Sequence, residues 1–568
     1  MSSRWPDEPE TVDLLVFGAG AAGMTAALTG AFEGLKVLLC EKTDTVGGTT
    51  STSGGTTWVP GTSQSVRDGV PDSIEDASQF LRSVVGPRGG DDLRAAFLAS
   101  GPAVIDELEA KSEVRFVAAQ AHPDYLGCHP GAAYGGRALV PTIFDGRQLG
   151  KDFDRVRPPR PEFMGLGGMM VGRAEIPALL SPLSSVSNFL TAMSVVLPYL
   201  LDRLTHKRGT RLLMGNALVG QLFLSLRQRK VPIRFGSPLR ELVVEDGRVV
   251  GAVVDTPAGR RTVRARRGVV LATGGIAWNP ELRTRTYPEG TRDLCLAPAT
   301  NTGDGVSSAL DVGGQLDDGH DSAGLWMPCS VMKRPGKPDA IWPHIILDRA
   351  KPGLIAVNSS GRRFVNESDS YHDFSMGMLR ANAHTPSIPA WLICDASFVR
   401  DYGLGLILAG GRQLRRFKAA GYVAEGRTLR ELAERIGVDA AGLERSVADH
   451  NRYAQTGVDE EFGRGASVMN RFNGDDGNEP NPCMRQIGPG PFYAVAVRPA
   501  DLASSAGLKG DAFGRVLNDR NVPITGLYVC GNDMTSIFRG TYPGPGTTLG
   551  PAIVFGWRIA KHAAGRLD

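Results

Sequence analysis

Residues 13–41 constrain this chain more than any others. A short apolar run at 13–17 (DLLVF) leads directly into Gly18-Ala-Gly20-Ala-Ala-Gly23 and then into the helix-prone MTAALTGAFEG. A second run at 36–40 (KVLLC) ends at Glu41, 23 residues after Gly18. Strand, glycine turn, helix, strand and acid in that order make a complete βαβ unit for a dinucleotide. Gly18 makes the tight turn, Gly20 lets backbone approach a pyrophosphate, and Gly23 lets the helix pack on the strand. The helix N-terminus attracts the anion, and Glu41 is placed to accept hydrogen bonds from a ribose.

The segment after Glu41 separates a flavin from a nicotinamide. It reads KTDTVGGTTSTSGG and is rich in Gly, Ser and Thr, with Gly47, Gly48, Gly54 and Gly55. A nicotinamide domain has no use for it, whereas a flavin ring system needs small residues whose backbone lies against its edge. Farther on come a strand ending in Ala272-Thr273-Gly274-Gly275, then Asn301-Thr-Gly303-Asp304-Gly305, and a C-terminal strand ending in Cys530-Gly531-Asn532-Asp533. Gly544-Pro-Gly546-Thr-Thr548-Leu549-Gly-Pro551 then opens an apolar helix with Pro551 in its first turn. The positive end of that helix would face a reduced flavin, which carries negative charge near N1 and the C2 carbonyl.

This ordered set resembles the fumarate reductase/succinate dehydrogenase flavoprotein superfamily, over nearly the whole chain. The resemblance implies an α/β fold: a discontinuous Rossmann-like FAD-binding domain at 1–331 and 503–568, and an α+β catalytic or substrate domain at 332–502. It also implies FAD contacts from Gly18, Gly20, Ala22, Gly23, Glu41, Lys42, Gly48, Thr49, Thr50, Ser51, Gly54, Gly55, Ala272, Thr273, Gly274, Gly275, Asn301, Asp304, Gly531, Asn532, Asp533, Thr548 and Leu549. The loop after Glu41 contains no His, so the FAD is expected to be non-covalent.

Fumarate-type reductases need convergent Arg and His for a dicarboxylate, with His near the C-terminal glycine-rich run. Here that run is Arg539-Gly-Thr-Tyr542-Pro-Gly-Pro-Gly546, with a tyrosine and no His. The expected pocket is therefore neutral and apolar and takes a molecule with a carbonyl. Tyr542-x-x-x-Gly546, Asn366-Glu367-x-x-x-Tyr371 and Pro123-Asp124-Tyr125, upstream of Gly135-Gly136-Arg137, together resemble the 3-ketosteroid Δ1-dehydrogenases. The resemblance implies that Tyr371 is the base, that Tyr125 assists it, and that Tyr542 and Gly546 hold the 3-keto oxygen; Tyr134 rivals Tyr125. It implies a 3-ketosteroid or sterol-derived enone as substrate, an external electron acceptor such as a quinone, and a place in steroid degradation. The alternative is another ene-carbonyl flavoenzyme, a Δ4 steroid dehydrogenase or a fumarate-type ene-reductase. A flavoprotein that only binds lipid or relays electrons is a third reading.

Composition narrows the rest. With 63 Lys+Arg against 60 Asp+Glu, the net charge of +3 is too balanced for nucleic acid. Seven Cys stand singly, with no CxxC pair, and point to reduced thiols in the cytoplasm and to no metal site. Residues 1–10 are polar and acidic, unlike a signal peptide. An apolar insertion at about 169–211 contains 26 uncharged residues at 176–201, with Arg203, His206, Lys207, Arg208 and Arg211 close behind. Pro177, Pro182 and Pro198 argue against one continuous spanning helix. The segment is expected to be an apolar cap on the substrate cleft rather than simple core, either in peripheral contact with the inner face of the membrane or only closing the cleft, and it resembles the cap of forms that act on side-chain-bearing sterols. A hairpin is expected at 238–256 around Asp246-Gly247, scaffold helices in RTLRELAERIG and GLERSVADHNRYAQTG, and an exposed loop at 472–482.

Overall fold

The computed structural model describes residues 10–345 and 348–567; the signal-peptide expectation for 1–10 falls almost wholly outside them. The glycine turn joins the parallel strands Glu10–Phe17 and Val37–Cys40 through helix Ala21–Phe32. Ile233–Arg234 extends this sheet beyond Val37–Cys40, while Gly259–Leu271 and then Pro523–Val529 extend it on the other side, all parallel. The ends of its central strands are runs of Val and Leu (LLVF, VLLC and VVL), as a sheet covered on both faces requires. The expected hairpin forms from Leu239–Glu245 and Arg248–Thr256, with Asp246 and Gly247 both at positive φ (48° and 71°).

A second, mostly antiparallel sheet orders Ala340–Pro343, Gly324–Met332, Phe492–Ser504, Ala390–Asp395 and Leu354–Val357, with Ala424–Gly426 also on Phe492–Ser504. Helices Leu429–Ile436 and Ala440–Thr456, capped by Thr428 and Asp439, lie where the sequence puts them and pack their apolar faces on this sheet. Buried ions brace it. Arg363 bonds both Glu367 and Asp459, and Arg464 reaches Glu367 at 3.3 Å. Burial pushes the Glu367 carboxyl up, but the two guanidiniums outweigh it and hold it below the usual carboxylate range.

The insertion breaks into helices Ile176–Leu180 and Val186–Asp202, with Ser185 capping the second at Asn188 N–H. No described helix is long and apolar enough to cross a membrane. Residues 472–482 are only partly the exposed loop expected. Asn473 and Asn481 are buried, the Asn481 side chain donating to the Gly457 carbonyl, and Phe472 packs against His122. All seven Cys are free, and only Cys128 is exposed.

Candidate active site

A cavity of about 1800 Å³ opens where the parallel strands of the first sheet end and continues to the second sheet. Phe17–Ala22, Glu41 and Lys42, Ala272–Gly274 and Gly531–Asn532 line it from the strand ends; Met327, Leu502 and Ala503 line it from the second sheet. The glycines of the turn divide by task. A Cβ on Gly18 would lie 2.1 Å from Ala272 O, and one on Gly23 would lie 1.9 Å from Gly18 O, so both serve backbone packing. At Gly20 and Gly48 a Cβ would meet nothing nearer than 3.8 Å and 3.9 Å. These two present bare backbone to open space, as a bound pyrophosphate requires.

Glu41 lines the cavity with its carboxylate fixed by Ala19 N–H at 2.9 Å and by Thr43. Lys42 Nζ donates to Asp304 at 2.9 Å and to Thr302 at 2.7 Å. Asn301 Nδ2 ties Thr49 Oγ1 to Gly274 O. Thr50, Gly54, Gly55, Thr548 and Leu549 complete this half of the lining, so the residues present fit an extended dinucleotide. Gly23, Ser51, Gly275 and Asp533 lie behind the residues that line the cavity. Asp533 is fully buried because its carboxylate accepts the N–H groups of Thr273 and Gly275, which fixes the strand end from behind. The lining residues Ser237, Pro238 and Leu239 were missed; their only signal is their place at the start of the hairpin.

Three tyrosines meet at the junction of the two sheets. Tyr371 is the first residue of helix Tyr371–Asn382, whose cap Ser370 accepts Asp373 N–H at 3.0 Å. The resemblance motif is a brace for it: Glu367 carries the buried ion network, and Asn366 Nδ2 donates to Asn470 at 2.9 Å. Tyr125 comes from a loop held by Asp124, which accepts Arg137 at 2.7 Å and Trp58 Nε1 at 2.8 Å. The Tyr125 N–H donates to Pro543 O at 2.8 Å, which links that loop to the Tyr542 loop. Tyr125 OH lies 3.5 Å from Tyr371 OH, and the Tyr371 and Tyr542 rings are 5.3 Å apart. Tyr125 stacks on Tyr542 at 5.7 Å, whereas Tyr134 is 58% exposed and takes no part.

Burial pushes all three phenols up; for Tyr371 the Tyr125 and Tyr542 phenols add to it. Against this, Tyr371 stands at the positive end of its helix, which favours a phenolate there. His372 is held at both ring nitrogens: Nδ1 accepts Trp326 N–H at 3.1 Å and Nε2–H donates to Gly540 O at 3.1 Å. Burial pushes its imidazole down to about 4. Gly546 sits at φ 95°, where a Cβ would lie 2.4 Å from Thr56 O. Its carbonyl accepts Trp58 N–H at 3.1 Å, while its own N–H has no partner among the described residues and lines the cavity with Tyr542.

Comparison with known proteins places this geometry. The profile of the FAD binding domain matches residues 13–549. The chain is 37% identical to the 4-oxocyclohex-2-ene-1-carboxylate 5-dehydrogenase of Sinomonas cyclohexanicum, over 97% of this chain and 93% of the relative. It is 34% identical to the 3-oxosteroid 1-dehydrogenase of Mycolicibacterium smegmatis, over 97% of each. The crystal structure of 3-ketosteroid delta1-dehydrogenase from Sterolibacterium denitrificans, in complex with 1,4-androstadiene-3,17-dione, superposes with a TM-score of 0.91 and 35% identity. That match covers 98% of this chain and 100% of the other. The cofactor is FAD, and this chain belongs to the flavoprotein family of the 3-oxosteroid 1-dehydrogenases.

Proposed function

We propose that the protein desaturates the ring of a cyclic ketone next to its carbonyl, with a 3-oxo-Δ4-steroid as the substrate and a 1,4-diene-3-one as the product. The observation that carries the reading is the convergence of Tyr125, Tyr371, Tyr542 and Gly546 on one cavity that continues into the dinucleotide cradle. Tyr542 OH and Gly546 N–H donate to the 3-keto oxygen and stabilise the enolate that develops there. That acidifies the hydrogen on C2, and Tyr371 takes it as the base. Tyr125 OH lies within reach of the Tyr371 oxygen and would donate to it once that oxygen has lost its proton. The glycine turn, Glu41 and the lining residues of the strand ends would hold FAD, which would supply the acceptor for the hydride on C1 and pass the electrons to an external acceptor, a quinone or another oxidant.

The wall opposite the tyrosines is supplied by the insertion: Met169, Ile176, Leu179, Phe189, Met193 and Val196 line the cavity. The same insertion exposes Leu183 (87%), Val186 (77%), Leu190 (61%) and Leu204 (80%). An apolar rim beside Arg203 and Lys207 suits peripheral contact with an anionic lipid surface, from which a sterol-like substrate would enter. Anaerobic mixing of the yellow protein with 4-androstene-3,17-dione tests the reading. Flavin bleaching with a 1,4-diene product is expected, and an unbleached flavin overturns it.

A further inference from the structure

One end of the substrate cavity departs from the neutral, apolar pocket that the sequence predicts. Arg173, Lys351 and His122 all line it. Arg173 lies in the single turn Arg173–Glu175, with its guanidinium 4.9 Å over the Phe472 ring, and the same ring stacks on His122 at 5.2 Å. The carboxylate in that turn is already engaged: Glu175 pairs with Arg211 at 2.6 Å and accepts Gly172 N–H at 2.8 Å. Lys351 Nζ donates to the Gly474 carbonyl and lies 6.0 Å from the Tyr402 ring. The acids on this wall have other partners, Asp475 accepting Tyr402 OH and Asp401 pairing with Arg485 at 3.0 Å. Among the described residues neither Arg173 nor Lys351 forms an ion pair.

The two cations also oppose each other. Burial, with Arg173 adding to it against the pull of Asp475, holds the Lys351 ammonium below the usual lysine range. Burial and then Arg173 push the His122 imidazole down to about 4, so at neutral pH it is an uncharged hydrogen-bonding group. Two unpaired cations that repel one another across a partly desolvated cavity are stabilised when an anion enters between them. Nothing in the reaction at Tyr371 needs them there.

We propose that Arg173 and Lys351, with His122 as a hydrogen-bonding partner, form a carboxylate subsite, so that the ring ketone reaching Tyr542 and Gly546 carries a carboxylate at its far end. The inference rests on the ring-ketone reading above. His122 is three residues from Tyr125, so their Cα atoms lie at most about 11 Å apart. A ring ketone with a carboxylate on the ring or on a short side chain falls within that reach. Both sources present the same chemistry to the subsite, and the test separates them.

Two matched pairs are compared on the holoenzyme by flavin bleaching: a 3-oxo-Δ4-steroid with a carboxylate-terminated side chain against its methyl ester, and a cyclohexenone carboxylate against its methyl ester. The acid is expected to exceed its ester in kcat/KM by about tenfold or more in one pair, as a charge-assisted contact implies. The pair that shows it identifies the source. In Arg173→Gln, and independently in Lys351→Met, the acid-to-ester ratio is expected to fall toward one, through KM and not kcat. Bleaching by both members of each pair with equal efficiency refutes the subsite and leaves the ring-ketone reading intact. If no ketone bleaches the flavin, the ring-ketone reading falls, and equilibrium titration of the flavin absorbance with the 1,4-diene steroid acid decides the subsite separately. Binding about tenfold weaker in Arg173→Gln supports it, and unchanged binding overturns it.

Discussion

Replacing Tyr371 by Phe removes one oxygen and leaves the aromatic packing against Tyr125 and Tyr542 in place. An ordinary phenol, with a pKa near 10, is ionised to only about 1% at pH 8, and each further unit upward costs about 1.4 kcal/mol. Burial and the two neighbouring phenols raise Tyr371 well above that ordinary value. The active, deprotonated form is therefore a small minority throughout the working range. Its population, and with it kcat/KM for flavin bleaching, should rise about tenfold per pH unit from pH 6 to 9. Tyr371→Phe should lower the bleaching rate by roughly two to four orders of magnitude and abolish that slope. Tyr125 acts through a 3.5 Å contact, so Tyr125→Phe should cost only about 1 kcal/mol, or roughly fivefold. Anaerobic stopped-flow mixing across pH, with deuterium wash-in at C2 as a second readout, measures all of these. A flat wild-type profile, or a slope that survives in Tyr371→Phe, refutes the base assignment; an equal loss in Tyr125→Phe moves it to Tyr125.

Tyr542→Phe keeps the stack on Tyr125 and deletes one donor to the carbonyl oxygen, so kcat/KM should fall about 10²- to 10³-fold, or roughly 3–4 kcal/mol, with the melting temperature unchanged. Gly23→Ala drives a Cβ to within 1.9 Å of Gly18 O; the purified variant should be nearly colourless, and a full flavin content by absorbance would contradict the packing argument. Glu367→Ala leaves Arg363 and Arg464 short of a buried counterion and should cost about 3–5 kcal/mol in urea unfolding. Asp459, held at about 2 chiefly by Arg363 against burial, adds stability above pH 4 that is lost as pH falls toward 2. Leu183→Asp with Leu190→Asp should abolish co-sedimentation with anionic phosphatidylglycerol vesicles while leaving the protein folded; binding that persists would remove the rim from the argument.

The dinucleotide half of the site was legible because it depends on backbone. Gly18, Gly20 and Gly23 stand where short-range spacing puts them, and strand polarity brings Glu41 and Ala272 to the same edge. Asp533 shows the limit: position along a motif does not say which groups a carboxylate binds, and this one accepts the N–H groups of Thr273 and Gly275. The resemblance put Tyr125 ahead of Tyr134, but the contact that holds Tyr125 in the cleft could not be read there, because it comes from the Pro543 carbonyl, more than 400 residues away. Arg173 was invisible for a related reason. Its significance lies in a counterion that went elsewhere, to Arg211.

His372 ties the Tyr371 helix to Gly540, two residues before Tyr542, and receives Trp326 N–H on its other side. Tyr371 and Tyr542 come from distant parts of the chain, yet they hang from one short strut. Breathing between the layers would carry Tyr371 and Tyr542 together while the strut holds, and its imidazole stays uncharged until the pH nears 4. A bulkier ring would have to find its room at the insertion side of the cavity, because the strut sets how far apart the two tyrosines stand.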